Sequence, residues 1–179
     1  MAASGPEQGF DEFVASRYAR LCRTAFLLCG DWGHAEDAVQ VTLVKVHAAV
    51  RHGRVDHLDA YVRRALVNTC STWWRSRWRG EVPTGRLPEE AAGGGYEQVE
   101  LRAALVAALA GLPVQQRTVL VLRYFEELTE AETAEALQCS LGTVKSRTAR
   151  ALARLREHGF PTDADDQGER LTDPAGGTR

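Results

Sequence analysis

Apolar residues recur at spacings of three and four along most of this chain, so the pattern predicts helices throughout. Phe13, Val14, Arg17, Tyr18, Leu21, Ala25 and Leu28 lie on one predicted amphipathic helix from Phe10 to Cys29, ended by Gly30. Asp31 can cap a second, from Trp32 to His52, with Leu43, Val46 and Val50 inward and Gly53 closing it. Asp59 opens a third, from Ala60 to Trp78, whose inner face holds Val62, Leu66, Thr69 or Cys70, and Trp73. A fourth runs from Glu97 to Ala110 and stops at Gly111. Pro113 then occupies a first helical turn, where its missing N–H costs nothing, ahead of Val114, Val119, Leu120, Leu122 and Tyr124.

The stretch that follows organises the rest. Thr129 and Glu132 have capping-box spacing and open a short helix carrying Ala134 and Leu137. Ser140 caps the next, from Leu141 to His158, with Val144, Thr148, Ala151, Leu152 and Leu155 as its inner stripe. Its other face carries Lys145, Arg147, Arg150, Arg154 and Arg156, and no acid occurs between Leu141 and Arg156. The preceding segment is biased the other way, with Glu126, Glu127, Glu130, Glu132 and Glu135 and no base among them. A solvated Arg-rich surface helix would show the same charge. The capping box, the tight turn and Val144 at their separations favour a helix-turn-helix whose second helix enters a major groove. Gly142, Thr143, Lys145, Ser146 and Arg147 would then meet base edges and phosphates.

The expected architecture is all-α: two small helical domains, residues 10–80 and 98–160, joined by a flexible linker at 81–97. Two prolines and a glycine triplet between Gly80 and Tyr96 break every period. Residues 161–179, rich in Asp, Gly and Pro, are expected to be disordered, and Met1 to Gly9 to fray.

The 179 residues carry a formal net charge of −2, a mean that hides the segregation just described. Cys22, Cys29, Cys70 and Cys139 are far apart and lack metal-ligand spacing, so buried free thiols and a reducing cytoplasm are expected. No long apolar run or signal peptide is present, which argues against a membrane span or export. With no phosphate loop, metal-spaced His/Cys set or nucleophile elbow, the chain reads as no enzyme, and neither cofactor nor metal is expected.

Between Ala60 and Gly80, Arg63, Arg64, Arg75, Arg77 and Arg79 are not offset by acid, and Trp73, Trp74 and Trp78 interleave with the last three. Aromatic faces stack on unpaired bases and arginines neutralise phosphates, so the mixture suits single-stranded DNA. The same tryptophans could instead pack the core with arginines passing over them. Three in six residues cannot all point inward on a helix.

In order along the chain stand Ala35-Glu36-Asp37-Ala38-Val39-Gln40, Ala60-Tyr61-Val62-Arg63-Arg64-Ala65-Leu66-Val67-Asn68, Leu112-Pro113 with Gln116-Arg117, and Gly142-Thr143-Val144-Lys145-Ser146-Arg147. From Phe10 to Gly159 this order resembles the extracytoplasmic-function RNA polymerase sigma factors, group 4 of the sigma-70 family. The high Ala, Arg and Gly content resembles an actinobacterial member. The resemblance implies that Asp37, Gln40, Leu43 and Val46 dock on the clamp of the largest subunit of core RNA polymerase. It implies that Arg64, Asn68, Trp73, Trp74, Arg75 and Arg77 open and hold the −10 promoter region. Ser140, Thr143, Lys145, Ser146, Arg147 and Arg150 would read the −35 duplex while their domain sits on the polymerase flap. Promoter DNA, core polymerase and an anti-sigma factor are the partners it implies.

Two positions depart from the family pattern: Thr133, where relatives often carry a branched apolar residue, and Gln138, where the turn commonly has Gly. A left-handed Gln138 would cost roughly 1 kcal/mol relative to Gly. Gly142-Thr143-Val144-Lys145 also resembles the response-regulator helix-turn-helix class. That class usually continues Thr-His, against Ser146-Arg147 here, and its amino-terminal half would be an α/β domain.

Overall fold

The computed structural model describes the backbone of residues 6–77 and 96–160, and the side chains of residues 9–73 and 103–160. The sequence expectations for residues 1–5, most of the linker and the carboxy-terminal tail fall outside them, while residues 6–9, expected to fray, are the first turn of a helix. The described residues form seven α-helices and one π-helical turn. The chain divides into two compact units, Met1–Pro83 and Thr84–Arg179.

The first unit is a three-helix arrangement of α1 (Pro6–Cys29), α2 (Trp32–Arg51) and α3 (Leu58–Arg77). Gly30 takes the left-handed conformation at φ 74° that a tight exit from α1 requires. Asp31 then caps α2, its Oδ1 accepting from the His34 N–H at 2.9 Å. Phe10, Val46 and Val62, one from each helix, are buried together, with Phe13, Leu21, Leu43 and Tyr61 packed against them. Polar side chains inside this unit are satisfied locally. Thr42 donates to Thr69 Oγ1 at 3.3 Å across the α2–α3 interface, and Thr69 donates in turn to the Ala65 carbonyl at 2.9 Å. Cys22, Cys29 and Cys70 are buried free thiols, whereas Cys139 in the second unit is half-buried. Cys70 is pushed far above the usual thiol range by its hydrogen bond with Cys29 and by burial, so it stays protonated.

The second unit comprises α4 (Tyr96–Ala110), α5 (Val114–Leu120), the π-helical turn Val121–Phe125, α6 (Glu130–Leu137) and α7 (Leu141–Glu157). Helix α4 begins at Tyr96, so the last two residues of the expected linker are helical. Pro113 is not inside a first turn. It is the cap residue before α5, with ψ at 139°, extended as a helix-entry residue usually is. The guanidinium of Arg117 is 1% exposed and donates to the Ala110 carbonyl at 2.7 Å and the Leu112 carbonyl at 3.3 Å. It thereby supplies donors to the end of α4, whose last carbonyls have no helical partners. The continuous helix expected through Tyr124 instead widens: the Glu126 N–H reaches the Val121 carbonyl at 2.9 Å, a five-residue span. Arg123 donates to the Leu128 carbonyl at 2.7 Å and steadies the loop that follows.

Helix α2 and the last two helices end by one device, in which a left-handed residue lets two N–H groups return to the final carbonyls. Gly53 and Arg54 bond Val50 and Ala49 at 2.9 and 3.0 Å, and Gly159 and Phe160 bond Arg156 and Leu155 at 2.9 and 3.0 Å. Gln138 and Cys139 do the same to Glu135 and Ala134 at 3.1 and 3.0 Å. Two of these left-handed positions are glycine. Gln138, at φ 51° and ψ 47°, carries a side chain there. Gln138→Gly should therefore stabilise the α6–α7 pair by about 1 kcal/mol. Native-state hydrogen exchange should show its slowest amides roughly fivefold better protected.

Candidate nucleic-acid interface and docking surface

Helix α7 is built as the sequence suggests. Val144, Thr148, Ala151, Leu152 and Leu155 are buried, and Val144 joins Val119 of α5 and Ala134 of α6 in one cluster. The capping box is complete: Glu132 N–H donates to Thr129 Oγ1 at 3.2 Å, and Thr129 N–H to Glu132 Oε2 at 2.8 Å. Ser140 accepts from the Thr143 N–H at 3.2 Å and shares a 2.9 Å hydroxyl contact with Thr143 Oγ1, while Ser146 donates to the Thr143 carbonyl at 3.1 Å. These hydroxyls pin the first turn of α7. Lys145, Ser146 and Arg150 are exposed and Arg147 is half-buried, so the expected reading residues line the outer side of one helix. Lys145 Nζ lies 3.6 Å from Glu130 Oε2, across the turn. Leu141 is 50% exposed at the head of the same helix, an apolar group the charge-based reading passed over.

Thr133 is fully buried, so at this position relative to its neighbours the chain keeps the packing of an apolar residue while adding a hydroxyl. Its Oγ1 has no hydrogen-bond partner among the described residues, a cost that the isosteric Val would not carry.

In the first unit, α3 presents two different faces. Tyr61, Arg64 and Asn68 are spaced three and four apart and share a side. The Arg64 guanidinium lies 5.5 Å from the centre of the Tyr61 ring, and Asn68 is exposed. Trp73 belongs to the other face. Its ring meets His34 edge-on with centroids 5.9 Å apart, which makes it a packing residue tied to the start of α2. Trp73 is half-buried, so this contact leaves part of the ring open. The side chains of Trp74, Arg75 and Arg77 lie outside the described residues, as does Trp78.

Helix α2 sorts the expected docking residues differently from the sequence reading. Asp37 and Gln40 are exposed. Val46 is wholly buried, and half-buried Leu43 packs against the cluster that contains it. Val46 is therefore core and cannot touch a partner. In its place stand Val41 at 37% and Val44 at 72% exposure, apolar groups left open by the described residues, Val44 most of all. With Asp37 and Gln40 they recur at three and four, so one outward stripe is half polar and half apolar. The signal was present in the sequence: these valines sit off the inner stripe, where solvent would favour polar residues.

The first unit, with its paired outward faces, and the second, with its capped basic helix, match two family models in chain order. Residues 13–80 match Sigma-70 region 2 and residues 102–155 match Sigma-70, region 4. The RNA polymerase sigma-E factor of Streptomyces avermitilis is 42% identical over 169 residues, covering 91% of this chain and 92% of that protein. The chain belongs to the sigma-70 family of RNA polymerase sigma factors. The ECF RNA polymerase sigma factor SigM of Mycobacterium tuberculosis H37Rv is 33% identical over 154 residues, covering 85% of this chain and 78% of that one. This sigma factor is thus of the extracytoplasmic-function group and acts in transcription initiation. Among solved structures, its fold is similar to that of the sigma factor RpoE bound to the anti-sigma factor NepR from Bartonella quintana. The TM-score is 0.72 at 24% identity, over 89% of this chain and 99% of that one. CnrH in complex with the cytosolic domain of CnrY is also similar, at a TM-score of 0.64 and 24% identity, over 91% of this chain and 93% of that one. No described helix of the sigma factor is long and apolar enough to cross a membrane.

Proposed function

We propose that this sigma factor divides promoter recognition between its two units and that the outward face of each named helix carries one step. The observation that supports this most is α7: buried on one side, basic on the other, and fixed at its first turn by Ser140. Such a helix can enter a major groove without unfolding anything, because no apolar contact has to be given up. Lys145, Arg147 and Arg150 supply cations for phosphates and guanine edges, with Ser140, Thr143 and Ser146 beside them. The second unit is the reader of the −35 duplex. Helix α3 captures the unpaired −10 strand with Arg64 and Asn68, the amide bonding an extruded base and the guanidinium its backbone. The side chains of Trp74, Arg75 and Arg77 extend that role. Helix α2 docks on core RNA polymerase through Asp37, Gln40, Val41 and Val44, with Leu43 and Val46 as support beneath. The sigma factor works in the cytoplasm, without cofactor, metal or reaction of its own, and an anti-sigma factor covers it when it is silent. The two solved relatives are each bound to a protein of that kind or to a named protein partner.

Run-off transcription on genomic fragments with core polymerase supplies the promoter, and three variants then separate the steps. Arg147→Ala should weaken promoter binding about 5- to 150-fold, by 1–3 kcal/mol if the guanidinium is bidentate to a base, with relaxed preference at that one position. Unchanged affinity and preference would remove α7 as the reader.

Asn68→Ala should form closed complexes normally on duplex promoter yet show fewer permanganate-reactive thymines. A premelted template should restore part of the loss, since unpairing no longer has to be driven by capture. Opening equal to the parent protein would rule out this role for Asn68.

Val44→Glu places a charge on an exposed position, so circular dichroism should not change. Retention of the full chain by core polymerase should fall at least tenfold if the valine is buried in the docked state. Retention at the parental level would mean that this stripe faces solvent in the holoenzyme.

A further inference from the structure

We infer that Glu130 is a positioning residue for promoter reading, holding the Lys145 ammonium so that it addresses one base edge and not the nearest phosphate. The inference rests on the reading of α7 given above. Glu130 stands at the start of α6 and Lys145 in the second turn of α7, so their 3.6 Å approach spans the helix-turn-helix corner. Both groups are substantially exposed, Lys145 at 66% and Glu130 at 37%. An exposed pair of this kind contributes little to folding. Its geometry matters more to what the lysine can do.

A lysine is a compact charge on a long flexible stem. Left free beside a duplex it follows the phosphates, which adds affinity for every sequence alike. A carboxylate beside it changes both its position and its preference. It limits the stem to few rotamers, and it repels the phosphates that would otherwise draw the ammonium aside. The acidic bias of the preceding segment does not by itself select Glu130. The Glu132 carboxylate is committed to Thr129, accepting from its N–H at 2.8 Å and its hydroxyl at 2.7 Å. Glu130 instead reaches the outer face of α7, where it meets Lys145. Arg147 and Arg150 have no ion-pair partner among the described residues, so the restraint falls on Lys145 alone of the three.

The test uses holoenzyme assembled from the full chain and its host's core RNA polymerase, presented with a pool of random-sequence duplexes, and sequences what is retained. Wild type, Lys145→Ala, Glu130→Gln and the double variant are compared. Lys145→Ala should flatten base preference in one −35 column. Glu130→Gln should change that same column, lower its enrichment roughly threefold to tenfold, and leave the others in place. It should also steepen the salt dependence of binding to a random-sequence duplex by the full chain, by about one phosphate contact. The double variant should match Lys145→Ala, because Glu130 acts through the lysine. Four results overturn the inference. If Glu130→Gln selects the wild-type sequences while Lys145→Ala does not, the glutamate is idle and α7 remains the reader. If Glu130→Gln alters many columns, it has disturbed the corner as a whole. If its effect persists in the double variant, it does not act through Lys145. If Lys145→Ala itself changes nothing, the lysine's place in the reading of α7 fails, and this inference with it.

Discussion

The second unit depends on a charge placed where charges are rarely left. Arg117 lies at the corner between α4 and α5 almost wholly out of contact with water, and it donates to the last carbonyl of α4, Ala110, and to Leu112 in the corner itself. Those carbonyls would otherwise be orphaned, and a buried cation without them would be costlier still. Each solves the other's problem. The consequence is geometric: the direction in which α5 leaves the corner is set by hydrogen bonds of defined length and not by apolar packing alone, which tolerates sliding. Everything downstream inherits that direction, since α7 packs on α5 through Val119 and Val144.

From this corner the chain reaches its basic helix past a left-handed Glu127 and through two further irregularities, the π-helical turn at Val121–Phe125 and the left-handed Gln138. Neither is needed to bury the apolar residues of α5 and α7. Both alter the angle at which one helix hands over to the next, and they lie on either side of α6. The acids of α6 and the bases of α7 then fall on neighbouring surfaces. The small net charge of the chain is thus a sum of opposed local fields, and a duplex meets the local field and not the sum.

How far this could be read from residues alone varied with the physics involved. Caps were legible because they are local: Asp31, Thr129 with Glu132, and Ser140 all make the bonds their spacing suggested. The inner stripes were legible because helical period and burial are linked, and the all-α fold followed from them. Val46 and Trp73 lie where the helical period placed them, on the inner faces of α2 and α3, and it was the resemblance that added contact roles to both. Val41 and Val44 were legible as apolar residues off the inner stripe, but the period says only that they face outward and not what they meet. The π-helical turn was invisible, as apolar spacing does not distinguish a bond from Glu126 to Val121 from one to Leu122, whose carbonyl here accepts from Leu128.

The hydroxyl pair Thr42–Thr69 and the apolar set around Phe10, Val46 and Val62 bear on how this first unit can diverge. Helices α2 and α3 turn separate surfaces outward but share these residues between them. Positions 37, 40, 41 and 44 on one helix, and 64 and 68 on the other, can drift independently, whereas Tyr61 packs against the shared apolar set. The shared layer has no such freedom. A larger residue at Val46 or Val62 would move one outward surface relative to the other. New specificities in descendants of this chain should therefore arise by repainting the two surfaces, while the spacing between them is inherited.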